Sequence, residues 1–136
     1  LNMFTPLMCI AVAIYFEARG EPSAGQIAVA HVIQNRIADR RYPDNACDVV
    51  KQGYYWNGHP IKNKCQFSFY CDGKSDSPYN KQGWFNALYI ATLSKTTPDQ
   101  TRGATHYHSI GVHPYWAIEG RVTAHIDGHI FYKGVQ

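Results

Sequence analysis

The chain has 136 residues, enough for one domain with a core that depends on neither disulfides nor metal merely to fold. Apolar residues make up 45% of it and charged residues 17%, which excludes a disordered chain, and the apolar run over residues 6–16 is too short to span a bilayer. A net charge of +3 with no basic run longer than Arg40-Arg41 argues against nucleic acid as a partner and suits an anionic polymer.

The chain begins at Leu1 with no charged leader or cleavage site, so no export signal is visible; either a leader has been removed or the segment is excised from a longer protein. Residues 6–18 read as a first helix. Pro6 suits its first turn, Leu7, Ile10, Ala11, Ile14 and Ala18 keep a helical spacing, and Gly20 and Pro22 stop it. Glu17 falls at the C-terminal end of this helix, where the dipole disfavours a negative charge. Ile14, Tyr15 and Phe16 precede it and remove water from it. Both effects raise a carboxyl pKa, as cleavage of a glycosidic bond by a protonated acid requires. The competing reading is a surface Glu paired with Arg19.

A second helix is expected from Ser23, where Ser23-Ala24-Gly25-Gln26 has the form of a capping box. Ile27, Ala30, Ile33 and Ile37 lie along one face. Asn35 and Arg36 are expected to hold helix ends. Residues 39–44 read as a turn region, and residues 49–83 as long loops with short strands at best. A third helix spans about 79–94, with Trp84, Leu88 and Ala91 on one side. Residues 105–109 then alternate like a strand. Residues 122–126 and 129–132, joined by Asp127-Gly128, read as a β-hairpin. Helices followed by a small antiparallel sheet make an α+β fold in a single domain over residues 1–136.

The four cysteines allow three pairings. Cys65–Cys71 is the favoured bridge within the turn-rich stretch that also holds Cys47, and Cys9, in an apolar helical run, is expected as a buried free thiol. The Cys65-x5-Cys71 spacing does not fit a zinc site. His106-Tyr107-His108 and His125-x3-His129 suggest a zinc amidase at first sight. However, the second pair is split by the Asp-Gly turn and no Glu follows His125, so no metal or other cofactor is expected, and a His is expected to support Glu17. The 14% aromatic content suits core first and a sugar-lined groove second.

Tyr15-Phe16-Glu17-Ala18-Arg19-Gly20-Glu21, Gly25-Gln26-Ile27-Ala28-Val29-Ala30 and Val32-Ile33-Gln34-Asn35-Arg36 resemble the opening of the SleB/CwlJ family of cell wall hydrolases. Further matches are Cys65-Gln66-Phe67-Ser68-Phe69 with Cys71-Asp72-Gly73, Gly103-Ala104-Thr105-His106-Tyr107-His108, Pro114-Tyr115-Trp116, and Ile126-Asp127-Gly128-His129-Ile130-Phe131-Tyr132. The resemblance runs from about residue 8 to 133, and the cysteine-bearing segment is similar to Gram-negative and phage members. It implies a lysozyme-like fold and lytic transglycosylation of peptidoglycan between N-acetylmuramic acid and N-acetylglucosamine, with Glu17 as the catalytic residue. The alternatives are a hydrolytic muramidase, an N-acetylmuramoyl-L-alanine amidase and a non-catalytic wall-binding module.

A hydrolase needs a second carboxyl, for which Asp72 and Glu119 are the candidates, though each precedes a Gly and reads better as a turn residue. Arg19 and Glu21 are expected to shape the turn that presents Glu17. Gln66 and Ser68 are candidates to bind sugar hydroxyls or acetamides, and Tyr107 and Trp116 to stack on sugar rings. The expected partner is the peptidoglycan glycan strand, met by a monomer in the periplasm, at the cell surface or as a phage lysin.

Overall fold

Thr5 opens the first helix. In the computed structural model, which describes residues 1 and 3–136, its hydroxyl accepts from the Met8 amide and Pro6 takes the first helical position, as expected. The helix, α1 (Pro6–Ala18), is apolar on every side, and every residue from Cys9 to Tyr15 is buried. Such a helix belongs at the centre of a fold. It is surrounded by α2 (Ser23–Ala38), α3 (Ala46–Val50) and α4 (Lys81–Ser94).

Helix α2 buries two sides. Val29, Ala30 and Ile33 join the helical core around α1, while Ala28 and Val32 pack on Ala104 and Phe131 of the sheet region. Ile27 and Ile37, expected on its buried stripe, are only half-buried. The expected capping box does not form. Pro22 is the N-cap residue and makes no side-chain cap, and Gln26 turns back to donate to the carbonyls of Arg19 (3.3 Å) and Glu21 (3.1 Å). Its own carbonyl oxygen accepts from Asn86 of α4 at 2.9 Å. Buried Gln26 therefore fixes the turn between α1 and α2.

Helix α3 was not foreseen. Asn45 caps it through the Asp48 amide, and Cys47 within it bonds to Cys9, so Cys9 is not the free thiol expected. At 38 residues apart in sequence, the two cysteines meet only because α3 packs on α1. The second bridge, Cys65–Cys71, is the one expected.

The stretch read as loops contains a hairpin, β1 (Gly53–Trp56) and β2 (His59–Cys65), and a 3-10 turn over Ser68–Cys71. Its tip is Asn57-Gly58, both with positive φ, the pair that a tight two-residue turn favours. A three-stranded antiparallel sheet follows, in the order β3 (His106–Ser109), β5 (His129–Tyr132), β4 (Val122–Ile126). The predicted terminal hairpin, β4–β5, is thus present, and β5 is the central strand of the sheet. Asn35 of α2 joins the sheet to the helices: its amide donates to Asp99 and to the Ala104 carbonyl, both at 2.9 Å. It clamps the α4–β3 connection and does not hold a helix end. Among the described residues no helix is long and apolar enough to cross a membrane.

Candidate active site

A cleft of about 320 Å³ opens where the helices meet the sheet. Glu17 enters it from the last turn of α1, Arg36 from α2, and Gln66 and Phe67 from the segment after β2. The opposite wall is β3, with Trp116 from the following loop and His129 from β5.

Glu17 is half-buried, and burial pushes its carboxyl from 4.5 up to about 7. No described residue gives this carboxyl a hydrogen bond, so nothing favours the ionised form, and desolvation accounts for the shift. Phe16 beside it is stacked on Phe69 at 5.0 Å and meets the Tyr15 ring edge-on at 4.9 Å. These rings hold the end of α1 in apolar surroundings. Arg19 does not pair with Glu17; it lies over the Tyr15 ring at 4.4 Å and bonds the Tyr15 hydroxyl. Gly83 of α4 leaves room for this pair, since a Cβ there would come within 2.8 Å of Arg19 Cδ.

Glu21 faces the tip of the β4–β5 hairpin. Its Oε1 lies 3.3 Å from His129 Nδ1, although not in hydrogen-bond geometry, and a Cβ on Gly128 would come within 2.8 Å of it. The hairpin tip and the α1–α2 turn thus fit together, which places His129 in the cleft with Glu17. Burial lowers the His129 pKa against the opposing pull of Glu21 and Asp127. Burial, helped by the charges of Arg36 and Arg41, brings His106 down to about 4. Both imidazoles are neutral at neutral pH. Among the described residues no three His, Cys, Asp or Glu side chains group as metal ligands.

Of the sequence candidates, Gln66, Tyr107 and Trp116 share the cleft with Glu17, and Ser68 does not: it opens the exposed side of the 3-10 turn. Tyr107 is packed by Phe131 (5.6 Å, 30°) and by the edge of His129 (5.2 Å, 88°), so its ring is occupied within the protein. Burial and then the Glu17 carboxylate raise its phenol well above the ordinary range. Trp116 is braced edge-on by His106 at 5.0 Å and Tyr132 at 5.2 Å. Asp72 accepts from the Lys74 amide at the Gly73 turn, and Glu119 opens a 3-10 turn on the surface. Neither borders the cleft, where Glu17 is the sole carboxyl among the lining residues.

Sequence reasoning missed Gln26 and Arg36. Gln26 fits a capping pattern that a Pro at the N-cap position overrides. Arg36, expected at a helix end, is buried and borders the cleft, with Nε donating to the Thr105 carbonyl at 2.7 Å. No periodic signal distinguishes an arginine that faces outward from one that lies beneath a sheet.

The profile of the cell wall hydrolase family matches residues 20–132. A spore cortex-lytic enzyme of Halalkalibacterium halodurans is 50% identical over 44 residues, 32% of this chain and 13% of that relative; one of Bacillus subtilis is 46% identical over 41 residues, 30% and 13%. Each match therefore spans well under a fifth of the relative's length. Among solved structures, the catalytic domain of the germination-specific lytic transglycosylase SleB from Bacillus anthracis superposes with a TM-score of 0.71. It is 27% identical, over 98% of this chain and 99% of that one. The catalytic domain of the Bacillus cereus SleB protein gives 0.71 at 26% identity, over 98% and 94%.

Proposed function

The chain belongs to the cell wall hydrolase family, and from that premise we propose that it cleaves the β-1,4 bond between N-acetylmuramic acid and N-acetylglucosamine as a lytic transglycosylase. The observation that carries this reading is that Glu17, alone among the described residues, supplies a carboxyl to the cleft, with its pKa pushed up to about 7.

A carboxyl with that pKa holds its proton at neutral pH often enough to donate it to the glycosidic oxygen. The bond then breaks through an oxocarbenium-like state, and Glu17 is left ionised. Hydrolysis at this point calls for a second carboxylate to activate water or to trap the sugar. Transglycosylation does not: Glu17 takes the proton of the muramoyl 6-hydroxyl, whose oxygen closes onto C1, and is protonated again as the 1,6-anhydro product forms. The apolar setting that raises the pKa of Glu17 also makes its carboxylate a strong enough base for this step.

In this reading Gln66 and the indole edge of Trp116 bind and orient the sugars. Tyr107, with its ring already packed, acts through its hydroxyl. The two disulfides suit the oxidising conditions of a periplasm or cell surface.

Mass spectrometry of purified peptidoglycan digested by the wild type and by Glu17→Gln tests the proposal. The expected products of the wild type are muropeptides one water lighter than the hydrolytic ones, and the variant releases none. Products of full mass make the enzyme a muramidase. Free peptide amino groups make it an amidase, and undiminished cleavage by Glu17→Gln removes that residue from the chemistry.

A further inference from the structure

Arg36 is the only Arg, Lys, Asp or Glu among the described residues that is buried, at 5% exposure. Its guanidinium is held firmly. Nε donates to the Thr105 carbonyl, and the rings of Tyr42 and Phe67 lie 5.3 and 5.5 Å from its central carbon. These contacts fix the plane of the group but bring no counter-charge. No ion pair joins it to an Asp or Glu of the described residues, and Nη1 is buried without a partner. Glu17 is not its counter-ion either, because desolvation is what governs that carboxyl.

A cation removed from water with no partner is unfavourable. This one borders the cleft that holds Glu17. A rigid guanidinium without a counter-charge beside a ligand cleft is matched to an anion that arrives with the ligand. Beyond Gln66 and His106, which border both, lies a second hollow lined by Arg41, Tyr42 and Gln52. A substituent on a sugar in the cleft meets Arg36 in the cleft's own wall.

We propose that Arg36 is the anion-recognising residue of the cleft, binding a carboxylate carried by the muramoyl unit and thereby setting which glycosidic oxygen faces Glu17. The inference rests on the glycan-cleaving reading above. Such a carboxylate has two sources, the lactyl group where it carries no peptide and the acidic residues of the stem peptide.

Two substrate pairs separate them: peptide-free glycan strands with lactyl groups free or converted to N-methylamides, and intact peptidoglycan with stem-peptide carboxyls free or likewise amidated. For the wild type, amidation is expected to lower kcat/KM at least tenfold in one pair, mostly through KM, and the responding pair names the source. Arg36→Lys keeps part of the preference. Arg36→Gln loses it, with equal kcat/KM on charged and neutral substrates. If Arg36→Gln does not fold, Arg36→Lys decides, and a preference undiminished from the wild type overturns the inference. A wild type that cleaves the members of both pairs alike overturns the inference and leaves the proposed activity standing, as does an Arg36→Gln variant that keeps the preference. A wild type that releases no glycan fragment from any of the four substrates overturns both.

Discussion

At Glu17, the same burial serves chemistry and opposes folding. The carboxyl loses its proton near 4.5 in the unfolded chain and near 7 in the folded one. Between those values the folded protein holds the proton more tightly, so its stability falls as pH rises through that window and stays reduced above it. Glu17→Gln removes the ionisation but keeps the shape. It is expected to be more stable than the wild type by on the order of 1–3 kcal/mol at pH 8 and nearly equal to it at pH 4, as urea unfolding at the two pH values will show. In the wild type, kcat/KM is expected to fall about tenfold per pH unit above about 7, as the protonated fraction does. A profile flat to pH 9 contradicts Glu17 as the acid. Its type, helix end and apolar neighbours make Glu17 a candidate in the sequence, and the resemblance of Glu17-Ala18-Arg19-Gly20-Glu21 to the family's opening block singles it out.

Among the elements, the disulfides act on different things. Cys9–Cys47 ties α3 to the central helix across 38 residues, and by the loop-entropy relation removing it costs about 4 kcal/mol. Cys65–Cys71 closes a loop of only 6, which gives about 2 kcal/mol, but that loop carries Gln66 and buried Phe67 into the cleft. Thermal melts of the Cys9→Ala/Cys47→Ala double variant should show the larger drop in Tm. The Cys65→Ala/Cys71→Ala variant should show a smaller drop and a several-fold rise in KM. The short bridge was readable from sequence because both partners lie in one polar stretch. The long one was not, because Cys9 sits in an apolar run whose local pattern is the same for a packed thiol and for a bridged one. The β1–β2 hairpin carried a usable signal in Asn57-Gly58, which the glycine- and lysine-rich surroundings concealed.

For the whole molecule, the cleft depends on how the sheet is held against the helices. Asp99 is central to that joint. Burial raises its pKa, but hydrogen bonds from the Thr101 and Asn35 side chains and the Gly103 and Thr101 amides outweigh it and hold the carboxyl below its usual 3.8. Its contribution is therefore complete above pH 3.8 and is lost as pH falls through the lower folded value. Asp99→Ala leaves those donors unmatched and is expected to cost about 2 kcal/mol in urea unfolding. Activity should fall with it, since the segment Asp99 anchors leads directly into His106 and Tyr107. Unchanged stability contradicts this account of the joint.

What the sequence determined by itself was whatever depends on neighbours in the chain: the helices over 6–18 and from 23, the terminal hairpin, and the place of Glu17 at a helix end. Local periodicity and proline and glycine punctuation act over a few residues. Tertiary structure alone decided that α2 is buried on two sides, that Cys9 meets Cys47, that Gln26 holds the α1–α2 turn, and that Arg36 lies beneath the sheet facing the cleft. Most depend on which segments pack together, from 38 residues apart for Cys9 and Cys47 to 69 for Arg36 and Thr105, and the same local pattern is compatible with several packings. The cleft with its single carboxyl belongs to that second group: Glu17 is visible in the sequence, but the absence of Asp72 and Glu119 from its walls is settled only by where the chain folds them.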